Sequence, residues 1–553
     1  MRGMRRLAWC AWVALCTLTV ATISAVGCSD DENENTSGAA AGPVSSSGAG
    51  GGISTGGNAP IEQVFPADPI IDGNAPTNAP SLFGDPGSGD PSGGPCLIEP
   101  EIGALFPNNW LRPRFRYQPQ SGQNLFEIRL SAASQDNDLV VYTDAAQWTM
   151  SLDLWQAVAD NVVDEPITVS IRGAVFDGNA LQGPPALGSK GDITVAPVPA
   201  EGSIVYWTTT GGSSLKGFSV GEESVQLVLE PPQIQMPTTN GQVDCIGCHT
   251  STPDGENASF TAQGPWSNAL ASIEQGTVGQ TPAFITQAAI AALSQPVALG
   301  IHTYSKAHWN PSDRIMVTPR DVGPASQLAW FDLEASDSAQ GIAWDVIARS
   351  GDPRGVGSPT WSHDGNTIVY VSTDAETDGR LGTGAADLYT VPYNGKAGGA
   401  ASPIAGAAEG AYEEYYPAFS ADDELVAFNR IPNNGTMYDN PSAELFVIPA
   451  TGGTATRLVA NDPAACSGAT SPGVTNSWPK WAPEVGHSQG RTYHWMIFSS
   501  RRYTQNPQLY VTGVVVNQNG DVSTYASIYL WNQPSDENNH TPAWDVFKIP
   551  PPR

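Results

Sequence analysis

Hydrophobic and polar positions divide the chain into four stretches. Residues 7–27 are an almost unbroken apolar run behind Arg2, Arg5 and Arg6. From 28 to 95 apolar positions are sparse and follow no period, and the acidic patch Asp30-Asp31-Glu32 leads into Ser, Gly, Ala, Asn and Pro. Such a segment buries too little surface to offset its ordering entropy and reads as a disordered linker. Between 96 and 199 short alternating stretches take over, at 111–117, 125–131, 139–143, 148–152 and 167–175, with turn residues between them. Strands at this spacing over about 100 residues predict an antiparallel β-sandwich. From 200 to 553 the pattern repeats itself.

The repeat is visible in Pro359-Thr360-Trp361-Ser362-His363-Asp364-Gly365 and in Pro417-Ala418-Phe419-Ser420-Ala421-Asp422-Asp423, each leading into an apolar strand. Pro479-Lys480-Trp481-Ala482-Pro483-Glu484 and Ala307-His308-Trp309-Asn310-Pro311-Ser312-Asp313 are looser copies. With the aromatic as marker, the steps from Trp309 are 52, 58 and 62 residues. A period of this size with several strands per unit is the pattern of propeller blades. Thr250-Ser251-Thr252-Pro253-Asp254-Gly255 fits the same motif one step earlier, and Pro542-Ala543-Trp544-Asp545 repeats its opening at the C-terminal end. Strands at 204–208, 215–220 and 225–229 lack an opening partner, so the C-terminal strand is expected to complete that blade. Ring closure removes the open sheet edges and gives six blades. The repeat resembles the TolB-like propeller family, which implies fold and leaves function open. The 96–199 region resembles an immunoglobulin or fibronectin type III domain, without the Cys-Trp-Cys set. The fold class expected is all-β.

Composition agrees with short strands and tight turns: 58 Gly, 46 Pro and 16 Trp stand against only 14% charged residues. Fifty-five acidic and 25 basic residues give a net charge of −30, which disfavours nucleic acid and anionic membrane as partners. The basic N-terminus and apolar run have the layout of a signal peptide, 1–27. Ala25-Val26-Gly27-Cys28 resembles a bacterial lipobox, with alanine where leucine is usual; the resemblance implies lipid on Cys28. An uncleaved membrane anchor is the alternative. Either way the rest of the chain is expected to be exported, on the periplasmic side or cell surface, with the bacterial outer membrane as the expected anchor. Cys96 and Cys466 remain; in an oxidising compartment they are candidates for a disulfide, and otherwise two buried thiols.

Within this frame Cys245-Ile246-Gly247-Cys248-His249 carries specific chemistry. Two thiols three positions apart can each add to a haem vinyl group, and the following histidine reaches the iron as proximal ligand. A thioredoxin-like dithiol needs a neighbouring βαβ pattern, and a zinc site needs a second close pair of ligands. Neither pattern is in the sequence. One covalent haem c is therefore expected on Cys245 and Cys248, with iron on His249. Aligning Asp254 on Asp364 sets His249 on the position of Pro359, at the start of a blade's innermost strand.

The sixth iron ligand is open at this level. His308 and His540 belong to the blades on either side, and Met236 offers a thioether. Tyr304, His302 or an open position complete the alternatives, while His363, His487 and His494 read as structural or exposed. The helix-forming stretch 283–292 reads as a half-buried surface helix, and the pair Glu413-Glu414 as a solvated loop face.

Three functions follow from these features. The first is a lipid-tethered monohaem carrier passing electrons between envelope proteins. The second is a haem enzyme or enzyme subunit, since the layout looks like the α subunit of hydrazine synthase. The third is a propeller scaffold whose haem is structural or sensory, with partners docking on its face. No catalytic residue is identified: phosphate-binding glycine loops, nucleophile elbows and paired metal-binding histidines are all missing from the sequence.

Overall fold

A computed structural model describes residues 62–549, apart from 238–242, 263–266, 296–300, 323–324, 339, 375–383 and 434. The signal-peptide and lipidation readings, including Cys28, lie outside the described residues. The described residues from 63 to 549 form one compact unit. Among the described residues no helix is long and apolar enough to cross a membrane.

The N-terminal part holds two sheets. The larger runs in the order Ile70–Asp72, Leu139–Thr143, Leu125–Ala132, Pro166–Ala174, Ala186–Val195, Leu105–Phe106; the smaller joins Cys96–Glu99, Arg114–Gln118 and Gln147–Thr149. Alternation drives this: in Arg114–Gln118, Phe115 and Tyr117 point inward while the arginines between them face out. Two outer strands pair in parallel, and the helix Leu152–Asn161 buries Trp155 and Val158 in the same core. The sequence pattern gave no sign of either feature.

The linker expected to reach residue 95 ends earlier. Ile70–Asp72 is a strand, Ala79–Phe83 is a helix, and Phe65, Ala79 and Phe83 are buried. A buried ion pair fixes this segment: Arg172 meets Glu127 at 2.7 Å and donates to the carbonyls of Phe83, Asp85 and Ser88. The few apolar residues here are spent at single contacts, so they leave no period to read.

Residues 203–545 form six main sheets. The first pairs Gln226–Leu229, Ser214–Ser219 and Ser203–Thr208 with the C-terminal strand Asn539–Asp545, which closes the ring. The second is Ile246–Ser251, Asn257–Ala262 and Ser267–Ser272; the fourth, fifth and sixth open with Gly355–Trp361, Tyr412–Phe419 and Ser477–Trp481. The third departs from the expected marker. Its innermost position is Thr303, bridged to Val317, and Trp309–Asn310 instead forms a hairpin with Asp313–Val322. Tyr304, not Trp309, is therefore the equivalent of Trp361. The helix over 283–292 is observed as Gln287–Leu293, capped by Thr286.

In the second, fourth and fifth blades the opening motif is a hydroxyl-held turn. The Ser362 hydroxyl donates to Asp364 at 2.6 Å and accepts the Thr367 N–H at 3.0 Å, and Ser420 and Thr252 repeat both bonds in their blades. Gly255 and Gly365 occupy the left-handed position that follows, at φ 74° and 78°.

The sandwich and the propeller share a core. Trp110 packs 5.6 Å from Trp544, the Trp495 indole donates to the Pro199 carbonyl, and Cys96 and Cys466 are disulfide-bonded across 370 residues.

Candidate functional site

The Cys245–His249 motif lies where the inner strand of the second blade begins. Ile246 pairs with Ala262 and His249 with Phe260, so one extra residue bulges out of the ladder between them. The same irregularity recurs between Gly357 and Thr360, Tyr415 and Ala418, and Ser477 and Lys480. It belongs to the blade design, and in the second blade Gly247 and Cys248 fall within it. The strand Ile246–Ser251 therefore carries four of these five residues, Cys245 directly precedes it, and Ser213 of the first blade acts as a clamp. Its hydroxyl accepts the Ile246 N–H at 3.1 Å and donates to the Ile246 carbonyl at 2.5 Å.

Cys245 and Cys248 are both half-buried thiols. Cys245 Sγ lies 3.8 Å from the Ile246 carbonyl oxygen. Cys248 packs with Ile301 against a cluster containing Tyr416 and Trp478, whose rings stack at 3.7 Å. In the repeat alignment these residues all precede the proline position: Cys248, Ile301, Ser358, Tyr416, Trp478 and Thr541. Tyr438 joins this aromatic group, and burial, with Asp439 and Cys248 nearby, raises its phenol pKa. The position next to the proline was a signal the sequence reading did not use.

His249 is only 7% exposed and turns toward the first blade. Its Nε2 donates to the Val205 carbonyl at 3.1 Å, while Nδ1 is buried without a partner. Burial lowers its pKa to about 4, so the ring is neutral at pH 7. One nitrogen held by a backbone carbonyl and the other left over is the usual arrangement of a ligand imidazole. Two thiols and this imidazole are a donor set that fits covalent haem.

The residues expected as candidates for a sixth iron ligand separate clearly. His540 stacks at 4.6 Å on Trp207, whose indole donates to the same Ser213 hydroxyl that clamps Ile246. Its pKa is lowered to about 3, first by burial and then by Arg501 and His249. His308 is at the other end of the strands: its ring stacks on Trp361 at 5.0 Å, its Nδ1 lies 2.9 Å from Asp313, and it borders Gly365. The Met236 sulfur is buried and accepts the Leu270 N–H at 3.3 Å. His302 lies between the second and third blades, accepting from the Ser259 hydroxyl and donating to Asn268 at 2.5 Å. The structure therefore brings His540 toward the motif and keeps His308 and Met236 in structural contacts.

Glu413 and Glu414 are not a solvated face. Both are buried in the fifth blade's inner strand, and burial raises Glu414 to about 7 although Arg430 lies 3.0 Å away. Among the described residues no group of three or more His, Cys, Asp and Glu side chains is arranged to hold a metal ion by itself.

No family model matches this sequence, and no curated protein matches it. Solved structures resemble it at low identity. A protein described as TolB from Agrobacterium tumefaciens is 13% identical over 62% of this chain and 97% of that one, with a TM-score of 0.33. Hydrazine synthase from Kuenenia stuttgartiensis is 10% identical over 57% and 89%, with a TM-score of 0.30. A chain of a nidogen/laminin complex is 9% identical over 62% and 98%, with a TM-score of 0.34. The fold of this chain rests on its own sheet order, and the chemistry of the site on its own residues.

Proposed function

We propose that the protein is an exported, lipid-anchored c-type haem protein that passes electrons between protein partners in the cell envelope. The observation that carries this reading is the Cys245–His249 motif at the start of an inner strand, with two half-buried thiols and a neutral imidazole bearing one unpaired nitrogen. Cys245 and Cys248 hold the porphyrin and His249 binds iron. Haem supplies a one-electron couple there. The Val205 carbonyl would orient the His249 ring, and His540 is the residue that would supply a second iron ligand. The Cys96–Cys466 disulfide supports an oxidising compartment, where lipidation at Cys28 would tether the chain.

Expression with export and haem-maturation machinery should give a coloured protein whose haem survives acid-acetone extraction. Colour lost on extraction would refute covalent attachment. Cys245→Ala with Cys248→Ala should abolish attachment while circular dichroism retains the β signal. Carbon monoxide added to the reduced protein should bind slowly or not at all, and His540→Ala should open the iron to it. Rapid binding by the unaltered protein would remove the carrier reading in favour of a haem enzyme.

A further inference from the structure

At the far end of the inner strands from Cys245, the channel widens into a cavity of about 120 Å³. Thr250, Thr303, Thr360 and Lys480 line it, and all four take the same place in the blade repeat, where the other two blades have Ala418 and Ala543. Five blades thus put a small side chain here, and the sixth puts a lysine. Among the described residues the Lys480 ammonium has no salt bridge or hydrogen bond; burial pulls its pKa down, and Asp545, which also borders the cavity, opposes that shift. Lys480 is only partly exposed, and a cation drawn from water with no ion pair within bonding distance is costly, so packing alone does not account for its presence.

The hydroxyls beside it are poised in one direction. Thr303 Oγ1 accepts the Trp361 N–H at 2.9 Å and Thr360 Oγ1 accepts the Phe419 N–H at 3.4 Å. Among the described residues neither hydroxyl proton has an acceptor, so both remain to donate. Lys306 and Asp545 also border the cavity, and burial raises Asp545 to about 6. His363 borders it too, with Nδ1 held by Asp423 at 2.7 Å. Two ammonium groups against one carboxyl leave the cavity net positive inside a chain of net charge −30.

We infer that this cavity binds a small monocarboxylate, with Lys480 as the charge partner and the Thr303 and Thr360 hydroxyls as donors. At roughly 10–15 Å³ of such volume per water the cavity holds on the order of ten waters, which leaves room for a small organic anion. The site does not depend on haem, although Thr250 directly follows His249 and shares its strand.

Lactate, with lactamide as the uncharged isostere, is a suitable probe for the intact chain. Titration calorimetry should show lactate binding and no lactamide binding. Lys480→Met, which keeps the length and removes the charge, should weaken lactate by at least about thirtyfold. Equal binding of lactate by the wild type and a folded Lys480→Met variant would overturn the inference. If that variant does not fold, saturation-transfer NMR on the wild type decides: transfer to millimolar lactate, competed by acetate and not by chloride, supports the site, and its absence sinks it.

Discussion

His249 and His302 occupy the place that proline holds at residues 359, 417, 479 and 542. Proline there needs no partner, whereas a buried imidazole must be satisfied. His302 is satisfied on both nitrogens, by Ser259 and Asn268, which fixes a neutral tautomer. Burial lowers its pKa to about 3. The unfolded chain, with an ordinary histidine pKa near about 6.5, therefore takes up a proton first as the pH falls. Stability is present above that value and is lost progressively toward the folded pKa. At about pH 4.5 this one residue accounts for roughly 2–3 kcal/mol. Urea midpoints at neutral and acid pH should show that His302→Gln loses less stability on acidification than the wild type. An equal acid loss in both proteins would show that His302 does not contribute. The Cys245–His249 motif could be picked out because its five residues are contiguous. The setting of His302 could not, since Ser259 and Asn268 reach it only through the neighbouring blade.

At the level of elements, the repeat could be read because its turn chemistry is local. A hydroxyl that donates two residues ahead and accepts from five ahead needs Ser or Thr, then Asp, then a residue tolerant of positive φ. Ser362→Ala should leave the Thr367 N–H and the Asp364 carboxylate short of one bond each, at a cost of about 1–3 kcal/mol in urea unfolding. Ser362→Thr should cost much less, because Thr252 already makes both bonds in the second blade. If Ala and Thr destabilise equally, the turn bonds are not what holds the motif. The third blade shows the limit of this reading. Ser305 stands at the hydroxyl position, but Ala307 replaces the aspartate, and the Ser305 hydroxyl bonds instead to the His363 carbonyl at 2.9 Å. Without the acidic residue the sequence pointed five residues too far on, to Trp309. The same slip set His308 beside the haem motif.

Across the whole molecule, the boundary near residue 199 marks a change of architecture and not a change of folding unit. Arg502 of the sixth blade is fully buried against Glu101 of the sandwich at 2.9 Å, and it also bonds Ser527, Asn476 and the Ala460 carbonyl. Together with the Trp110–Trp544 contact and the disulfide, this predicts one cooperative calorimetric transition in place of two. Such an ion pair couples the two parts through the cost of separating it. Arg502→Met leaves the Glu101 carboxylate buried without its cation, which should cost about 3–5 kcal/mol. Replacing both, as Arg502→Met with Glu101→Gln, removes the stranded charge and should recover much of that loss. The double-mutant cycle separates coupling from packing: additive losses would mean that Arg502 acts through its bonds to the propeller alone. Two resolved transitions in the wild type would mean that sandwich and propeller fold independently despite the shared core.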